Sequence, residues 1–294
     1  MMKTFAVSTA ALWITASTIC IAQQQPRPFR PPPTSLWTPT GANLKASPQP
    51  ASDAAPVHDV SGTWFPARGE GAGIGGNGAV DMPEDGKPEH QLPYTDAARE
   101  KMKGYRPGNG KYQNVPSMIN DPAVIYCDPQ GIPRQDFYEL RATQIMHTDL
   151  KTVILYQFSK IWRVVWTDGR DLPKDPEPRW YGYSTGKWAN DTTFVVDTIG
   201  VDDRTWLDKG GRPHSEDMHV QERFHRASQG LLEFTVTVDD PKMYDRPWTG
   251  LNKFPMIKLP DNFDVTEMMC SVSEYMKYNK QMGFGNPTVF NGGK

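Results

Sequence analysis

His214 lies downstream of two carboxylates, Asp203 and Asp208, with Arg204 between them. Histidine titrates near neutral pH, an aspartate can orient its ring, and a guanidinium can hold negative charge as it develops. With Arg170 as a further cation, these residues could form a cofactor-free hydrolase or lyase centre in which His214 is the acid or base. The surrounding chain is also rich in recognition residues. Trp180, Trp206, Tyr244 and Trp248 offer stacking surfaces, and Asp168, Asp240 and Lys242 offer hydrogen bonds and charge. Aromatic walls with a few polar groups suit a small carbohydrate or an aromatic, oxygen-rich small molecule.

Other motifs each meet a local objection. Gly182-Tyr-Ser-Thr-Gly186 matches the G-x-S-x-G of hydrolases, whose serine sits on a strand–turn–helix elbow. Here the chain runs on through Lys187-Trp188 to a turn at Asn190-Asp191 and a strand, so Ser184 is expected within a strand. His214, His219 and Glu222 are metal-ligand types, but residues three apart on a strand face opposite ways, so His219 and Glu222 do not converge and no metal is expected. Gly71-x-Gly73-x-x-Gly76 spells a dinucleotide fingerprint, yet the following Asn77 to Pro83 does not open a helix, and no cofactor is expected. Glu222 is unusual for its strand. It shares a face with Met218, Val220 and Phe224, where a carboxylate needs a partner or a raised pKa. Arg204, Arg223 and Arg226 are the cations considered for it.

The elements that must position these residues are mostly strands. Thr95 reads as the N-cap of a short helix with Asp96 in its first turn and Gly104 at its end. From about residue 134 the pattern turns to period two with turn signals between runs. Strands are expected near 135–146, 151–158, 162–167, 180–188, 192–199, 217–226, 231–238, 251–258 and 264–270. The clearest is 231–238, where Leu232, Phe234, Val236 and Val238 alternate with Glu233, Thr235 and Thr237. No helix pattern interrupts the series. The fold class is therefore all-β with one short N-terminal helix, an antiparallel meander closing as a barrel or sandwich. If consecutive strands all run antiparallel, the long links 168–179, 200–216 and 239–250 fall at one end. Long loops gathered on a rigid sheet are where binding and chemistry usually sit. The site residues named above are drawn from these links and the strand ends beside them.

A run of phrases adds to this reading: Trp166-Thr-Asp-Gly-Arg170, Gly182-Tyr-Ser-Thr-Gly-Lys-Trp188, Asp203-Arg-Thr-Trp-Leu-Asp208, Pro213-His-Ser215, His219-Val-Gln-Glu-Arg-Phe224 and Asp239-Asp-Pro-Lys-Met-Tyr244 with Pro247-Trp-Thr249. Together, over roughly residues 120–270, they resemble a family of exported, β-rich bacterial proteins. The resemblance implies a lipocalin-like, calycin-type barrel and brings no catalytic assignment.

Outside that region the chain divides simply. Residues 1–22 read as a cleavable secretory signal: a positive start at Lys3, an uncharged apolar run, and small residues before Gln23. Residues 23–57 are proline-rich and expected to be extended or disordered. Residues 58–294 then form a single β-rich domain in the periplasm or outside the cell, with no membrane span. The net charge of −2 gives no electrostatic case for nucleic acid or for an anionic membrane. Two cysteines remain after the signal, Cys127 and Cys270, and an exported pair is expected to form a disulfide. These observations point to a β-barrel whose mouth, built by links 168–179, 200–216 and 239–250, binds a small molecule. The alternatives are an enzyme centred on His214 at the same mouth, and an interaction module of the cell envelope.

Overall fold

The computed structural model describes residues 53–67, 78–79, 82–83, 92–105, 121–137, 140–208 and 211–281. Residues 1–22, expected to be a signal peptide, most of the proline-rich leader and the G-x-G-x-x-G loop lie outside the described residues. In chain order the elements are β1 (Gly62–Pro66), the short pair β2 (Gly78–Ala79) and β3 (Met82–Pro83), α1 (Asp96–Tyr105), α2 (Pro122–Ile125) and α3 (Arg134–Phe137). The main strands follow: β4 (Thr143–His147), β5 (Lys151–Tyr156), β6 (Ile161–Trp166), β7 (Tyr183–Asn190), β8 (Thr193–Ile199), β9 (His219–Arg226), β10 (Leu231–Asp239) and β11 (Trp248–Lys258), with α4 (Val272–Gln281) last.

Strands β4 to β11 pair in sequence order, and β1 closes the ring between β11 and β4. The result is a closed nine-stranded barrel. Its interior follows the alternation in the sequence. Leu232, Phe234, Val236 and Val238 point inward from β10, and Phe224 and Phe234 stack across the β9–β10 ladder with ring centroids 4.6 Å apart. Gly250 of β11 is placed by sterics, since a Cβ there would lie 2.3 Å from the Phe137 ring. That glycine lets α3 seat Phe137 against the barrel core.

Thr95 caps α1 as expected, its hydroxyl accepting from the Ala98 N–H. The helix runs one residue past Gly104, to Tyr105. Three expectations need correction. The run 135–146 is not one strand but α3 followed by β4, because the chain turns at Gly131–Pro133 and the amides of Gln135 and Phe137 bond back to Gly131 and Pro133. Residues 264–270 form no strand beyond a bridge from Met268 to Phe158. The third is the most consequential: β6 and β7 are parallel, joined by only Val165↔Ser184 and Trp166↔Thr185.

That pair overturns the assumption that consecutive strands all run antiparallel. Links 200–218 and 240–247 do fall at one end of the barrel. The link after β6 begins at the other end, where the Thr167 amide bonds to Leu150, and reaches the first end only at Arg179, which bridges to Val201. It is a crossover along the barrel wall. Its residues Asp168–Asp171 are exposed.

Cys127 and Cys270 form a disulfide, with Cα atoms 5.4 Å apart across a sequence separation of 143 residues. It anchors the segment before α4 to the chain that leads into α3. Closing a loop this long stabilises by at most about 5 kcal/mol in the chain-entropy model. Replacing both cysteines by serine should therefore lower the unfolding free energy by roughly 2–5 kcal/mol in denaturant titration. An unchanged midpoint and slope would show that the bridge carries no stability.

Candidate functional site

The sequence-predicted residues separate into two groups. Trp206, Asp208, His214, Asp240, Tyr244 and Trp248 are buried and pack together at the end of the barrel that carries links 200–218 and 240–247. The Tyr244 hydroxyl donates to the Pro213 carbonyl at 2.8 Å, and Asp240 accepts from the Ser215 amide at 2.6 Å and the Ser215 hydroxyl at 2.8 Å. Asp208 is ion-paired to the buried Arg212. Trp206 lies under the Arg134 guanidinium, which makes a two-pronged bond to Asp121 at 2.9 and 2.6 Å.

His214 is fully buried. Its Nδ1 lies 3.0 Å from the Ser215 carbonyl and its Nε2 lies 2.7 Å from the Thr205 hydroxyl. Both ring nitrogens are thus occupied, and burial holds its pKa below the usual histidine value. Asp203, proposed to orient the ring, pairs instead with Lys101 at 2.7 Å. This arrangement holds two loops together and presents no free nitrogen to a substrate.

The second group is exposed. Arg170 is bound by Asp168 and lies flat on Trp166, its guanidinium 3.7 Å from the ring centroid. Arg204 is bound in the same way by Asp202 and stacks on Trp180 at 4.4 Å. Both are D-x-R turns that fix a guanidinium on an indole face. Lys242 pairs with Asp217 on the surface. Of all the predicted site residues, Arg170 is the one that borders the clefts described next.

The largest of those clefts opens on the side of the barrel, where β6 and β7 part. It has a volume of about 650 Å³. Trp162, Trp166, Tyr181 and Tyr183 supply its aromatic surface, the crossover supplies Arg170 and Arg179, and Arg163 and Ser184 lie in its floor. Arg179 stacks on Tyr183 at 4.1 Å, and among the described residues no carboxylate pairs with it. Trp162 is 63% exposed. A neighbouring cleft of about 440 Å³ shares Trp166, Arg170 and Thr185 and extends to Lys187, Asp197 and His219. There His219 Nε2 and Gln221 Nε2 donate to Asp197 at 3.0 and 3.1 Å, and these bonds hold the Asp197 pKa low, the His219 contact first.

Beneath the floor lies a polar girdle that sequence reasoning touched at two points, Ser184 and Glu222. Five adjacent strands contribute to it: Tyr156 from β5, Arg163 from β6, Ser184 from β7, Thr198 from β8 and Glu222 from β9. Asp136 of α3 joins them. The partner of Glu222 is Arg163, not Arg204, Arg223 or Arg226; the two form a fully buried ion pair. Arg223 lies on the outer face of β9, and Arg226 is engaged at the far end by the Asp59, Ser61 and Gln229 carbonyls. Ser184 Oγ and Thr198 Oγ1 are 2.8 Å apart. The serine of the G-x-S-x-G motif is therefore a mid-strand residue in a hydroxyl pair.

The girdle's polar groups are buried and turned toward one another. Tyr156 lies against Arg163 and Asp136, Asp136 against Glu222, and the Tyr181 hydroxyl against the backbone of Gln130 and Gly131. Buried polar groups in native interiors generally find such partners. Burial first, and then the charge of Glu222, push the Asp136 pKa well above the usual aspartate range, against the pull of Arg163. Burial raises Tyr156 as well, and pushes Tyr181 up to about 12. Burial pulls the Arg163 pKa down, but the charges of Glu222, Tyr156 and Asp136 together with the Glu222 hydrogen bond outweigh burial and raise it. Among the described residues no group of three or more His, Cys, Asp or Glu side chains is placed to hold a metal ion.

No protein-family model matches this chain, and neither the curated proteins nor the solved structures contain a match. The site's geometry is thus the sole guide to function.

Asp136 gives a direct test of the interior. A carboxyl whose folded pKa is raised takes up a proton on folding at pH values between its ordinary pKa and the raised one. Its contribution is therefore lost as pH rises toward the raised pKa, with a slope of at most about 1.4 kcal/mol per pH unit. Asp136→Asn keeps the shape and the neutral state, so its stability should fall less steeply than wild type between pH 5 and 8. Denaturant midpoints measured across that range would show parallel curves if Asp136 is ionised in the folded protein.

Proposed function

We propose that this is an exported β-barrel protein that binds a small, oxygen-rich anion, either a sugar acid or an aromatic acid, in the cleft between β6 and β7. The observation that carries the reading is the pairing of Arg179, free of any carboxylate among the described residues, with an aromatic wall in one concave site. Guanidinium groups bind carboxylates with directional, charge-assisted hydrogen bonds, and stacking on a ring fixes the fork in advance. Trp162 and Trp166 point outward from β6 while Arg163 points inward, the reverse of the usual burial order. Exposed indoles beside a cleft are characteristic of a binding surface.

Export is supported by the N-terminal sequence pattern and by the Cys127–Cys270 disulfide, a bond that persists in oxidising compartments. No described helix is long and apolar enough to cross a membrane. The predicted mouth contributes to this cleft through link 168–179; among the described residues of the other two links, none lines it.

The reading is tested by titrating the protein with ferulate and with digalacturonate while following tryptophan fluorescence. Binding of either should quench the signal, and Arg179→Ala should weaken that binding by roughly 10- to 100-fold, the range of a charge-assisted hydrogen bond. Absence of binding by both compounds, or equal affinity in the variant, would remove the cleft as the site.

A further inference from the structure

The last stretch of chain before β1 lies as a strap over the end of the barrel opposite links 200–218 and 240–247. The Asp53 carbonyl accepts from the Gln229 amide at 3.0 Å, and the His58 amide donates to the Asp191 carbonyl at 2.7 Å. Arg226 holds the Asp59 and Ser61 carbonyls at 3.0 and 3.3 Å. The Val60 amide has a different kind of partner. It donates at 3.4 Å to Nε2 of His147, the last residue of β4, and Val60 is fully buried. Of these bonds, this is the one made to a group that titrates near neutral pH.

A backbone N–H can only donate, so Nε2 must accept, and the single proton of the neutral ring must sit on Nδ1. Nδ1 lies 2.7 Å from the Thr152 hydroxyl, which accepts that proton's bond. These two contacts fix both the charge and the tautomer of His147. Its ring packs against Trp188 and Phe194, with centroids 5.8 and 5.4 Å away. A second proton, on Nε2, would set two donors against each other and leave the buried Val60 amide without an acceptor. Burial, the larger influence, holds His147 below its ordinary pKa, against the pull of Asp59. Asp59 is itself engaged, accepting from the Ser61 amide at 2.7 Å and pairing with Arg226 at 3.3 Å. The other charged or titratable groups around the ring, among the described residues, are His58 beside Asp191, Asp149 on the β4–β5 turn and Lys187 on β7.

We propose that His147 is a proton-sensitive latch: neutral, it holds the strap closed through Val60, and protonated, it lets residues 58–61 open. The strap is also the wall of a cleft. His58 lies on the Trp188 ring with centroids 5.0 Å apart, and both residues line a cleft of about 580 Å³ together with His147 and Lys187. Opening the strap therefore removes one wall of that cleft and bares a face of the Trp188 indole. Because the closed state holds His147 below its ordinary value, the latch is fully engaged above that value and weakens as pH falls below it. This device is separate from the ligand cleft beside Arg179 and stands whether or not that cleft binds an acid.

The test is amide hydrogen exchange of the intact protein, read by mass spectrometry at about pH 7.5 and about pH 5 after correction for intrinsic rates. In wild type the peptide over 57–61 should lose protection by roughly ten- to thirty-fold at the lower pH, the limit for a group that gains one proton on release. Peptides from β10 should keep theirs. His147→Gln offers the same acceptor and donor at every pH, so its strap should be equally protected at both. No loss in wild type, an equal loss in His147→Gln, or a loss that extends equally to β10 would overturn the latch. Nitrogen NMR of the wild-type ring gives a second reading that needs no variant. At about pH 7.5 the proton should sit on Nδ1, and a proton on Nε2 would overturn the assignment.

Discussion

Going once round a closed barrel, strand direction must return to where it began. Each antiparallel neighbour reverses it, so the number of antiparallel pairs must be even. Nine strands make nine neighbouring pairs, so at least one must be parallel. Here that pair is β6 with β7. A parallel neighbour cannot be reached by a tight hairpin and needs a crossover. Residues 167–182 are that crossover, and they run along the outer wall from one end of the barrel toward the other. The parallel pair and the strap of chain beside it follow from closing an odd number of strands, and the pair's ladder is only two residues long. The cleft is thus a product of the topology, and loop composition only decorates it with Arg170, Arg179 and their aromatic partners.

The girdle occupies one side of the interior. Strands β5 to β9 contribute its polar residues, whereas β10 offers Leu232, Phe234, Val236 and Val238. A buried ion pair is seldom worth more to stability than a well-packed apolar pair of the same volume. Arg163 and Glu222 therefore have no advantage as core filling. They tie β6 to β9 through the interior, on the side of the barrel that faces the open wall.

Much of the architecture could be read in the sequence, and the failures have physical causes. The alternation of β10 and the apolar face of β9 are realised residue by residue, and Glu222 is buried among Val220 and Phe224 as the alternation requires. In β6 the alternation is present but does not say which face is inner. Trp162, Val164 and Trp166 form one face and Ile161, Arg163 and Val165 the other; the structure turns the tryptophans out and the arginine in. Without that orientation the Arg163–Glu222 pair is invisible, since 59 residues separate its members. The parallel pair was equally hidden, because strand spacing carries no direction. The site residues sought in links 200–216 and 239–250 were chosen for chemical type. Those same types, fully paired, also make good packing for a barrel end.

That packing decides where a ligand can sit. At one end Trp206, His214, Tyr244 and Trp248 are buried; His214 is bonded to the Thr205 hydroxyl and the Ser215 carbonyl, Tyr244 to the Pro213 carbonyl, and the Tyr244 and Trp248 rings pack edge to face. At the other, Arg226 holds the carbonyls of Asp59, Ser61 and Gln229, and the Trp64 indole donates to Val60 at 2.9 Å. Large side chains fill the space between. Entry along the barrel axis would require unfolding one of these layers. Entry through the side requires only the space already open between β6 and the crossover. Of the arginines on the rim, Arg170 is neutralised by Asp168 and serves to fix Trp166, which leaves Arg179 as the cation that no carboxylate pairs with among the described residues. An anion drawn to this surface is therefore drawn to the one place where the barrel wall is open.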